Sequence, residues 1–199
     1  MTSAQRLWPA STVDLLVRLL ERTERRGATK VLALDGPSGA GKSTLADELI
    51  GVLDQRTTAL VRMENLYPGW DGLEAATGRL AAEVLPPLRR GEPAEYARWD
   101  WANHRYGAVR DVVPSKLVTI VEGVGAGTLA AASLIDALVL VDAPEQVRHQ
   151  RAMARDGEGY RPHWERWAAQ ERTYFQRERP QSRADLMILP GSVQTPGLR

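Results

Sequence analysis

The chain has 199 residues, 43% of them hydrophobic and 26% charged, and this predicts one folded domain, spanning 1–199, of an ordinary globular protein. Its 26 basic and 25 acidic residues give a net charge of +1, which argues against a nucleic-acid partner, because nucleic-acid binders carry a large basic excess. The absence of cysteine excludes disulfides, thiol catalysis and zinc–thiolate sites, and since no apolar run reaches the roughly 18 residues that a membrane span needs, we expect a cytoplasmic protein with no membrane partner.

An amphipathic helix is the first predicted element. Within the N-terminal segment 1–27, apolar residues recur at i, i+3, i+4 and i+7 along 11–26, and Gly27 ends the pattern. The apolar stripe indicates a helix that packs on the flank of the domain. A helix that binds a partner or a membrane surface is the alternative.

Five short apolar runs alternate with segments of helical periodicity further along the chain. The runs are 30–35, 58–63, 116–122, 136–141 and 184–189, and the helical segments are 43–53, 72–90, 145–156 and 163–179. Strands that alternate with helices build βαβ units. The pattern therefore predicts an α/β fold with a five-stranded parallel sheet and helices on both faces.

Two segments depart from this alternation. The stretch 64–115 holds three of the six tryptophans and three of the five tyrosines, and apart from the helix at 72–90 it shows no strong strand. We interpret it as an excursion from the sheet. Residues 157–162, between two predicted helices, form a loop that could serve as a lid.

The turn after the first apolar run fits the pattern G-x-x-x-x-G-K-[ST]. A strand precedes it and a helix follows it, which is the context that this motif requires. Glycines let successive backbone N–H groups face phosphate oxygens, Lys42 reaches the β- and γ-phosphates, and the Ser43 hydroxyl binds Mg²⁺. The motif predicts ATP and Mg²⁺ as cofactors, with these nucleotide-binding residues: Gly36, Ser38, Gly39, Ala40, Gly41, Lys42, Ser43 and Thr44.

Three acidic residues end predicted strands. Glu122 ends the third strand, and because ligands sit beyond the carboxyl ends of parallel strands, its carboxylate is expected to hold the Mg²⁺ shell together with Ser43. Asp35 and Asp142 end the first and fourth strands. For these two, a ligand role and an ordinary strand-end position are equally compatible with the sequence.

Three arginines favour a kinase over other nucleotide-binding proteins. Arg148, Arg151 and Arg155 recur at i, i+3 and i+7 on one helix face just before the lid loop. Such a face can neutralise a triphosphate while charge moves to an acceptor, and the loop can exclude water. A solvated basic helix face is the alternative. The short chain and the lack of a guanine-reading motif disfavour a large ATPase or a GTPase switch, so we expect a fold of the P-loop kinase type.

Several segments together resemble the uridine–cytidine kinases. They are the phosphate loop 36–43, the segments Glu-Asn-Leu-Tyr at 64–67 and Trp-Asp-Trp-Ala-Asn-His at 99–104, the strand end Val-Thr-Ile-Val-Glu-Gly at 118–123, the arginine-rich helix 147–156, and the tail Ala-Asp-Leu-Met-Ile-Leu-Pro-Gly at 184–191. The order and rough spacing run through most of 30–191. The resemblance implies ATP-dependent phosphorylation of a nucleoside 5′-hydroxyl, such as that of uridine or cytidine.

The resemblance also assigns roles to single residues. Glu64 matches the catalytic Asp that accepts the proton of the attacking hydroxyl, and Trp99 falls where the family has a Tyr beside the base. Tyr67, Asp100 and His104 match residues at the nucleoside, and the three arginines of the helix match lid arginines. The segment Tyr-Pro-Gly-Trp-Asp-Gly-Leu at 67–73 is not typical of the family.

The residues themselves agree in outline with that assignment. Aromatic faces with a few polar groups suit nucleobases and sugars, and 64–106 concentrates such groups, Arg105 among them. Ordinary core packing is the alternative for the aromatic side chains. Three hypotheses follow: a nucleoside kinase, a kinase for another small acceptor such as a sugar, vitamin precursor or antibiotic, and a non-catalytic ATP-binding module. Each leaves a homo-oligomer open.

Overall fold

The computed structural model describes residues 8–189 and 192–194. Its strands are β1 (Lys30–Asp35), β2 (Thr58–Arg62), β3 (Ala94–Asp100), β4 (Arg105–Val113), β5 (Val118–Glu122), β6 (Ala137–Val141), β7 (Leu186–Leu189) and β8 (Ser192–Gln194). Its α-helices are α1 (Ala10–Arg22), α2 (Lys42–Val52), α3 (Leu73–Arg79), α4 (Leu85–Arg90), α5 (Glu145–Asp156) and α6 (Trp164–Glu178). No helix in these ranges is long and apolar enough to cross a membrane.

A central sheet carries the phosphate loop. Its strand order is β2-β5-β1-β6-β7-β8, and the first five of these strands are parallel, as the sequence predicts. The sixth, β8, pairs with β7 in the antiparallel direction and extends the sheet at its edge. The sheet therefore has the predicted five parallel strands and one more. Of the predicted tail 184–191, Pro190 and Gly191 lie outside the described residues.

Hydrophobic clusters cover both faces of the sheet. The first and second helices pack on one face, where Leu16, Leu45 and Leu49 are fully buried. The third, fourth and sixth helices pack on the other face. Most sheet positions in β1 and β6 are buried, which explains why these strands are continuous apolar runs rather than alternating ones.

The N-terminal helix is shorter than its apolar pattern predicts. It ends at Arg22 rather than near residue 26, because Thr23 leaves helical geometry while its hydroxyl and N–H both bind Leu19 O. The chain then runs to Arg26, which bonds Asp136. Residues 1–7 of the predicted N-terminal segment lie outside the described part of the chain.

Asp136 joins three segments at the amino-terminal end of β6, at the end of the sheet remote from the phosphate loop. Its carboxylate accepts hydrogen bonds from Val31 N (2.9 Å), Arg26 Nε (2.9 Å) and Arg89 Nη1 (2.5 Å). The side chain has no exposed surface. A buried carboxylate that is fully bonded in this way fixes the relative positions of β1, β6 and α4.

The excursion contains an antiparallel hairpin, which corrects the expectation of no strong strand there. β3 and β4 pair from Ala94–Val113 to Asp100–Arg105, with an irregularity between Ala97 and Trp99. The predicted helix at 72–90 forms as α3 and α4, joined by a π-helical turn at Leu80–Val84. The hairpin escaped the sequence analysis because most of β4 is exposed, so no apolar run marks it.

Candidate active site

The phosphate loop has the backbone geometry that its glycines allow. Gly36, Gly39 and Gly41 have φ angles of 141°, 78° and 100°, which strongly favour glycine. At Gly39, a Cβ atom would lie 2.2 Å from the carbonyl oxygen of Arg148. The loop therefore packs directly against the backbone of α5, and a methyl group at position 39 would force the two segments apart.

Lys42 is buried at the start of α2. Its Nζ donates a hydrogen bond of 2.9 Å to Pro37 O. Burial lowers the pKa of this ammonium group, and the carboxylates of Glu122 and Glu171 oppose the shift. A cation held beside a loop of backbone N–H groups is what binding of a polyphosphate requires.

Ser43 and Glu122, predicted to hold Mg²⁺, are in contact. The Ser43 hydroxyl donates to Oε2 of Glu122 at 3.1 Å, and Arg62 Nη1 donates to Oε1 at 3.1 Å. Hydroxyl and carboxylate oxygens are the ligands that Mg²⁺ prefers, with phosphate and water completing the shell. These residues therefore fit the metal. Arg62, which also pairs with Asp47, was missed because a basic residue at a strand end carries no motif.

A cavity of about 810 Å³ extends from the phosphate loop to the excursion. Glu64, in the 3₁₀ turn Met63–Asn65 after β2, is exposed in it. Trp101 Nε1 donates to Glu64 O at 3.2 Å and so fixes the backbone of that residue. The side chains of the cavity are those of Ser38, Lys42, Ser43, Thr44, Arg62, Glu64, Tyr67, Trp70, Trp101, Glu122, Val124, Arg151, Ala152, Ala154, Arg155, Asp156, Tyr160 and Trp167.

Aromatic rings form one wall of the cavity. Trp70 stacks on Tyr160 at 5.1 Å between centroids and on His163 at 4.6 Å, and its ring lies 4.9 Å from Trp101. Tyr160 and His163 belong to the turns between α5 and α6; Tyr160 lies within the predicted lid loop 157–162, and His163 directly follows it. Trp70 therefore connects the excursion to the lid segment. The unusual segment 67–73 supplies this residue, and the resemblance assigned it no role.

Tyr67 lines the same cavity but its hydroxyl is already used. It donates to Val124 O at 2.9 Å, and its ring meets Trp167 edge-on at 4.8 Å. Burial raises the pKa of the phenol well above its usual value, and the nearby carboxylate of Glu122 adds to the shift. Tyr67 thus contributes an aromatic face rather than a titrating group.

The three arginines of α5 separate into two groups. Arg151 and Arg155 line the cavity, and Arg155 also bonds Asp156 at 2.6 Å. Arg148 does not line it. Its guanidinium donates to Ala143 O at 3.0 Å and to Ser38 O at 3.4 Å, so it supports the phosphate loop from behind.

Three residues that the resemblance places at the nucleoside, Trp99, Asp100 and His104, lie on the hairpin outside this cavity, and so does Arg105, which the composition of 64–106 adds to the predicted acceptor site. Asp100 caps the turn by accepting the N–H groups of Ala102 (3.0 Å) and Asn103 (3.1 Å). His104 is exposed and has a φ of 50°. Asp100 thus serves the turn of the hairpin, and Trp99 packs edge-on against Tyr106 at 5.1 Å.

Helix α6 carries a row of buried polar groups toward the site. Glu171 accepts from Ser38 N at 2.8 Å, Tyr174 donates to Asp35 at 2.6 Å, and Glu178 accepts from Leu129 N at 2.7 Å. They recur at i, i+3 and i+7, so they share one face. The row was missed because the three residues bear no motif and belong to a helix with many charged neighbours.

Asp35 has a structural position at the end of β1. Its carboxylate accepts N–H groups from Gly36 (2.7 Å), Gly125 (3.0 Å) and Gly127 (3.0 Å) besides the Tyr174 hydroxyl. Of the two roles that the sequence leaves open for this residue, the contacts favour an anchor beneath the loops. Asp142 pairs instead with Arg148 at 3.4 Å.

The chain is similar in sequence to known uridine kinases. The chain is 29% identical over 143 residues to a uridine kinase of Staphylococcus carnosus (strain TM300), which is 65% of this chain and 69% of that protein. It is 27% identical, with the same coverage, to a uridine kinase of Staphylococcus aureus (strain JH9). No protein-family model matches the chain.

A solved structure has the same fold. That structure, a possible uridine kinase from Bacillus stearothermophilus, matches with a TM-score of 0.66 at 19% identity, over 89% of this chain and 97% of that one. Fold and phosphate site together define a P-loop kinase. The resemblance of the chain to uridine kinases, inferred from its motifs, is confirmed.

Proposed function

We propose that this chain transfers the γ-phosphoryl group of ATP to the hydroxyl of a small molecule, the 5′-hydroxyl of a nucleoside. The observation that carries the proposal is one cavity that contains the phosphate loop, an exposed carboxylate and an aromatic wall. Its volume of about 810 Å³ suits small ligands rather than a macromolecule. The names of the curated relatives support the same activity.

Each part of the cavity has a role in phosphoryl transfer. The backbone of the phosphate loop and Lys42 hold the phosphates, and Ser43 and Glu122 would hold Mg²⁺, which would neutralise charge on the phosphate oxygens. Arg151 and Arg155 face the cavity from α5 and stabilise charge that develops as the phosphoryl group moves. Catalysis of this kind consists largely of positioning and electrostatic stabilisation.

Glu64 is the proposed general base. It is the carboxylate of the cavity that remains free of hydrogen bonds within the described ranges, since Glu122 is bonded to Ser43 and Arg62 and Asp156 is bonded to Arg155. Its backbone is held by Trp101, which limits the movement of the carboxylate. It accepts the proton of the acceptor hydroxyl as that oxygen attacks phosphorus.

The aromatic wall suits a flat acceptor. Trp70, Trp101 and Tyr160 present ring faces or edges to the cavity, and a nucleobase stacks on such surfaces with about 1–3 kcal/mol per base. A sugar or another polar acceptor would gain less from three aromatic rings. This wall favours a nucleoside among the small acceptors that the sequence leaves open.

One observation favours a different acceptor. Asp100 and His104, which the resemblance assigns to the nucleoside, lie on the hairpin outside the cavity. If they stay there during catalysis, the groups that recognise a pyrimidine nucleoside are absent. A flat metabolite other than uridine or cytidine is the second candidate.

The deciding experiment is a screen for ADP release with uridine, cytidine, purine nucleosides and hexoses. The proposal expects turnover that depends on an added nucleoside and disappears in Lys42→Ala. Turnover with a hexose alone would identify a sugar kinase. ATP binding with no acceptor-dependent ADP release from any compound would identify a non-catalytic ATP-binding module.

A further inference from the structure

A second cavity, of about 870 Å³, shares no lining residue with the first. The two approach each other at the phosphate loop, where Pro37 lines the second cavity and Ser38 lines the first. The second cavity lies between the sheet, α5 and α6, and the proposed reaction uses none of its surface except the support that Arg148 gives to the loop.

The second cavity combines an apolar floor with uncommitted cations. Leu140, Trp164 and Phe175 provide apolar surface, and the guanidinium groups of Arg172 and Arg179 line the same space. Neither guanidinium forms an ion pair within the described ranges 8–189 and 192–194. An aromatic and aliphatic floor beside two cations suits a flat ring that carries an anionic group.

Most of the remaining charges of the cavity are engaged with one another. Arg148 is occupied by Asp142 at 3.4 Å and lies 4.0 Å from Glu171, which itself accepts from Ser38 N. Glu145 is the one carboxylate of the lining outside any ion pair among the described residues. The lining as a whole is neutral, with three arginines and three carboxylates, but Arg172 and Arg179 keep their donors unpaired among the described residues and so are available to an anion.

The backbone of Arg179 is an independent observation. The residue has φ 44° and ψ 51°, the left-handed conformation, at the C-cap of α6, where glycine is the usual residue. Strain of this kind persists where the surroundings hold it, and it clusters at ligand sites. Because position 179 carries arginine and not the usual glycine, a guanidinium group lines the wall of the cavity.

We propose that the second cavity binds a small aromatic anion, a flat ring bearing one phosphate, sulfonate or carboxylate group. The ring lies on the apolar floor, and the anion bridges Arg172 and Arg179 through charge-assisted hydrogen bonds. Binding of this ligand does not depend on the acceptor of the proposed kinase reaction.

Occupancy of this site changes how tightly the phosphate loop binds ATP. Arg148 and Glu171 line the cavity and bond opposite sides of Ser38, through its carbonyl oxygen at 3.4 Å and its N–H at 2.8 Å. A ligand that reorients either side chain must shift Ser38. The coupling is reciprocal, so ATP changes the affinity for the aromatic anion by the same factor.

The test uses naphthalene-1-sulfonate as the probe and calorimetry on the full chain. We expect the sulfonate to bind about tenfold or more tightly than neutral 1-naphthalenemethanol, because the cations recognise its charge. Arg172→Gln combined with Arg179→Gln removes this preference. Arg177→Gln, on the same helix but outside the cavity, is the matched control and keeps it. Equal affinities of native protein and double variant, or no sulfonate binding by native protein, overturn the site.

Two further measurements distinguish binding at this site from a purely structural role of Arg179 and from binding at the phosphate loop. Arg179→Gly weakens sulfonate binding while the thermal midpoint of unfolding stays the same or rises, because glycine relieves the strain of the left-handed backbone. A fall in both the sulfonate affinity and the thermal midpoint would mean that Arg179 is merely structural.

The sulfonate still binds, with altered affinity, when adenylyl imidodiphosphate saturates the phosphate loop. Simple competition between the two would place the probe in the nucleotide site and overturn the proposal, and an unaltered affinity would overturn the coupling.

Discussion

The hydroxyl of Tyr174 donates a hydrogen bond of 2.6 Å to Oδ2 of Asp35, the residue just before the phosphate loop. Burial raises the pKa of the Asp35 carboxyl, while this bond and the N–H groups of Gly36, Gly127 and Gly125 oppose the shift. One contact thus links the helix after the lid to the base of the phosphate loop and to the loop after β5.

Tyr174→Phe removes that donor and keeps the ring. We expect the free energy of unfolding to fall by about 2 kcal/mol, because a buried carboxylate loses a hydrogen bond. Urea unfolding at neutral pH measures it, with Tyr106→Phe on the exposed side of the hairpin as control. Equal stability of Tyr174→Phe and native protein would mean that the three glycine N–H groups suffice for Asp35.

Lys42→Ala removes the buried cation at the phosphate loop. We expect turnover to be lost while the fold is kept, because phosphate binding needs the ammonium group and its one hydrogen bond to the protein, to Pro37 O, lies within the phosphate loop. ADP release and circular dichroism together measure the two effects. Lys116→Ala, which removes a lysine bonded to Gln55 O and Thr58 O away from the site, is the control. Unchanged kcat in Lys42→Ala would contradict the kinase proposal.

Glu64→Gln keeps the size of the side chain and removes its basicity. We expect kcat to fall about 10²-fold or more with little change in ATP affinity, the range for a positioned general base. The value of kcat is measured at saturating acceptor, and the ATP affinity is measured over a fixed series of ATP concentrations. Glu21→Gln on the exposed face of α1 is the charge-matched control. Glu64→Asp shortens the base by one methylene, and it lowers kcat if the site is adapted to a glutamate.

A native kcat in Glu64→Gln at saturating acceptor would place the base elsewhere. A gain of pyrimidine-nucleoside activity in Glu64→Asp would instead indicate a site built for the aspartate of the uridine–cytidine kinases. The two variants therefore separate the role of the carboxylate from the identity of the acceptor.

Trp70→Leu removes a ring that contacts the lid and the excursion at once. We expect the KM of the acceptor to rise about tenfold with ATP affinity unchanged, because each aromatic pair contributes about 0.5–1.5 kcal/mol. Trp99→Leu is the informative comparison, since that ring lies outside the cavity and packs on Tyr106 at 5.1 Å. A larger rise in acceptor KM for Trp99→Leu than for Trp70→Leu would show that the hairpin closes over the acceptor.

Asp136→Asn tests the buried carboxylate just before β6, at the end of the sheet remote from the phosphate loop. Burial alone raises the pKa of Asp136, but hydrogen bonds from Val31 N–H, Arg26 and Arg89 outweigh it and hold the pKa below the ordinary 3.8. The folded state therefore favours the ionised form, so its contribution is present above pH 3.8 and is lost as the pH falls through the folded pKa.

The expected result is a stability difference that depends on pH. Asp136→Asn is less stable than native protein by about 3 kcal/mol at neutral pH, since a buried ion pair is broken. The difference shrinks as the pH falls below about 4, and denaturant unfolding at several pH values measures it. A difference that stays constant down to acid pH would mean that geometry, rather than charge, sets the effect.

The sheet could be predicted from sequence because burial leaves a direct signal. The five parallel strands are covered by helices on both faces, so most of their residues are apolar, and the phosphate loop requires a strand before it and a helix after it. The hairpin β3–β4 has the opposite character. It is held by cross-strand pairing while most of β4 is exposed, and pairing between exposed residues has no periodic signature.

The residues of the site also divide into those that a local sequence pattern predicts and those that it does not. Lys42, Ser43 and Glu122 could be placed because motif and strand end determine where they go. The position of Arg148 could not be predicted, because the sequence does not distinguish between three arginines on one helix face. Only the structure shows that Arg148 bonds the carbonyl oxygens of Ala143 and Ser38. Likewise, Trp70 and Glu171 act through contacts with segments about a hundred residues away, a relationship that no local pattern records.

Helix α6 is held at three points along one side, by Glu171, Tyr174 and Glu178. Rotating it would break all three buried contacts together, so a movement of the lid that keeps them would have to take place in the short segment before it. There Gly157, with φ 57° and open space around the position of a Cβ, leaves the backbone free to pivot. A pivot at Gly157 would open the site without breaking the contacts of α6, and it would separate the rate of ligand exchange from the stability of the fold.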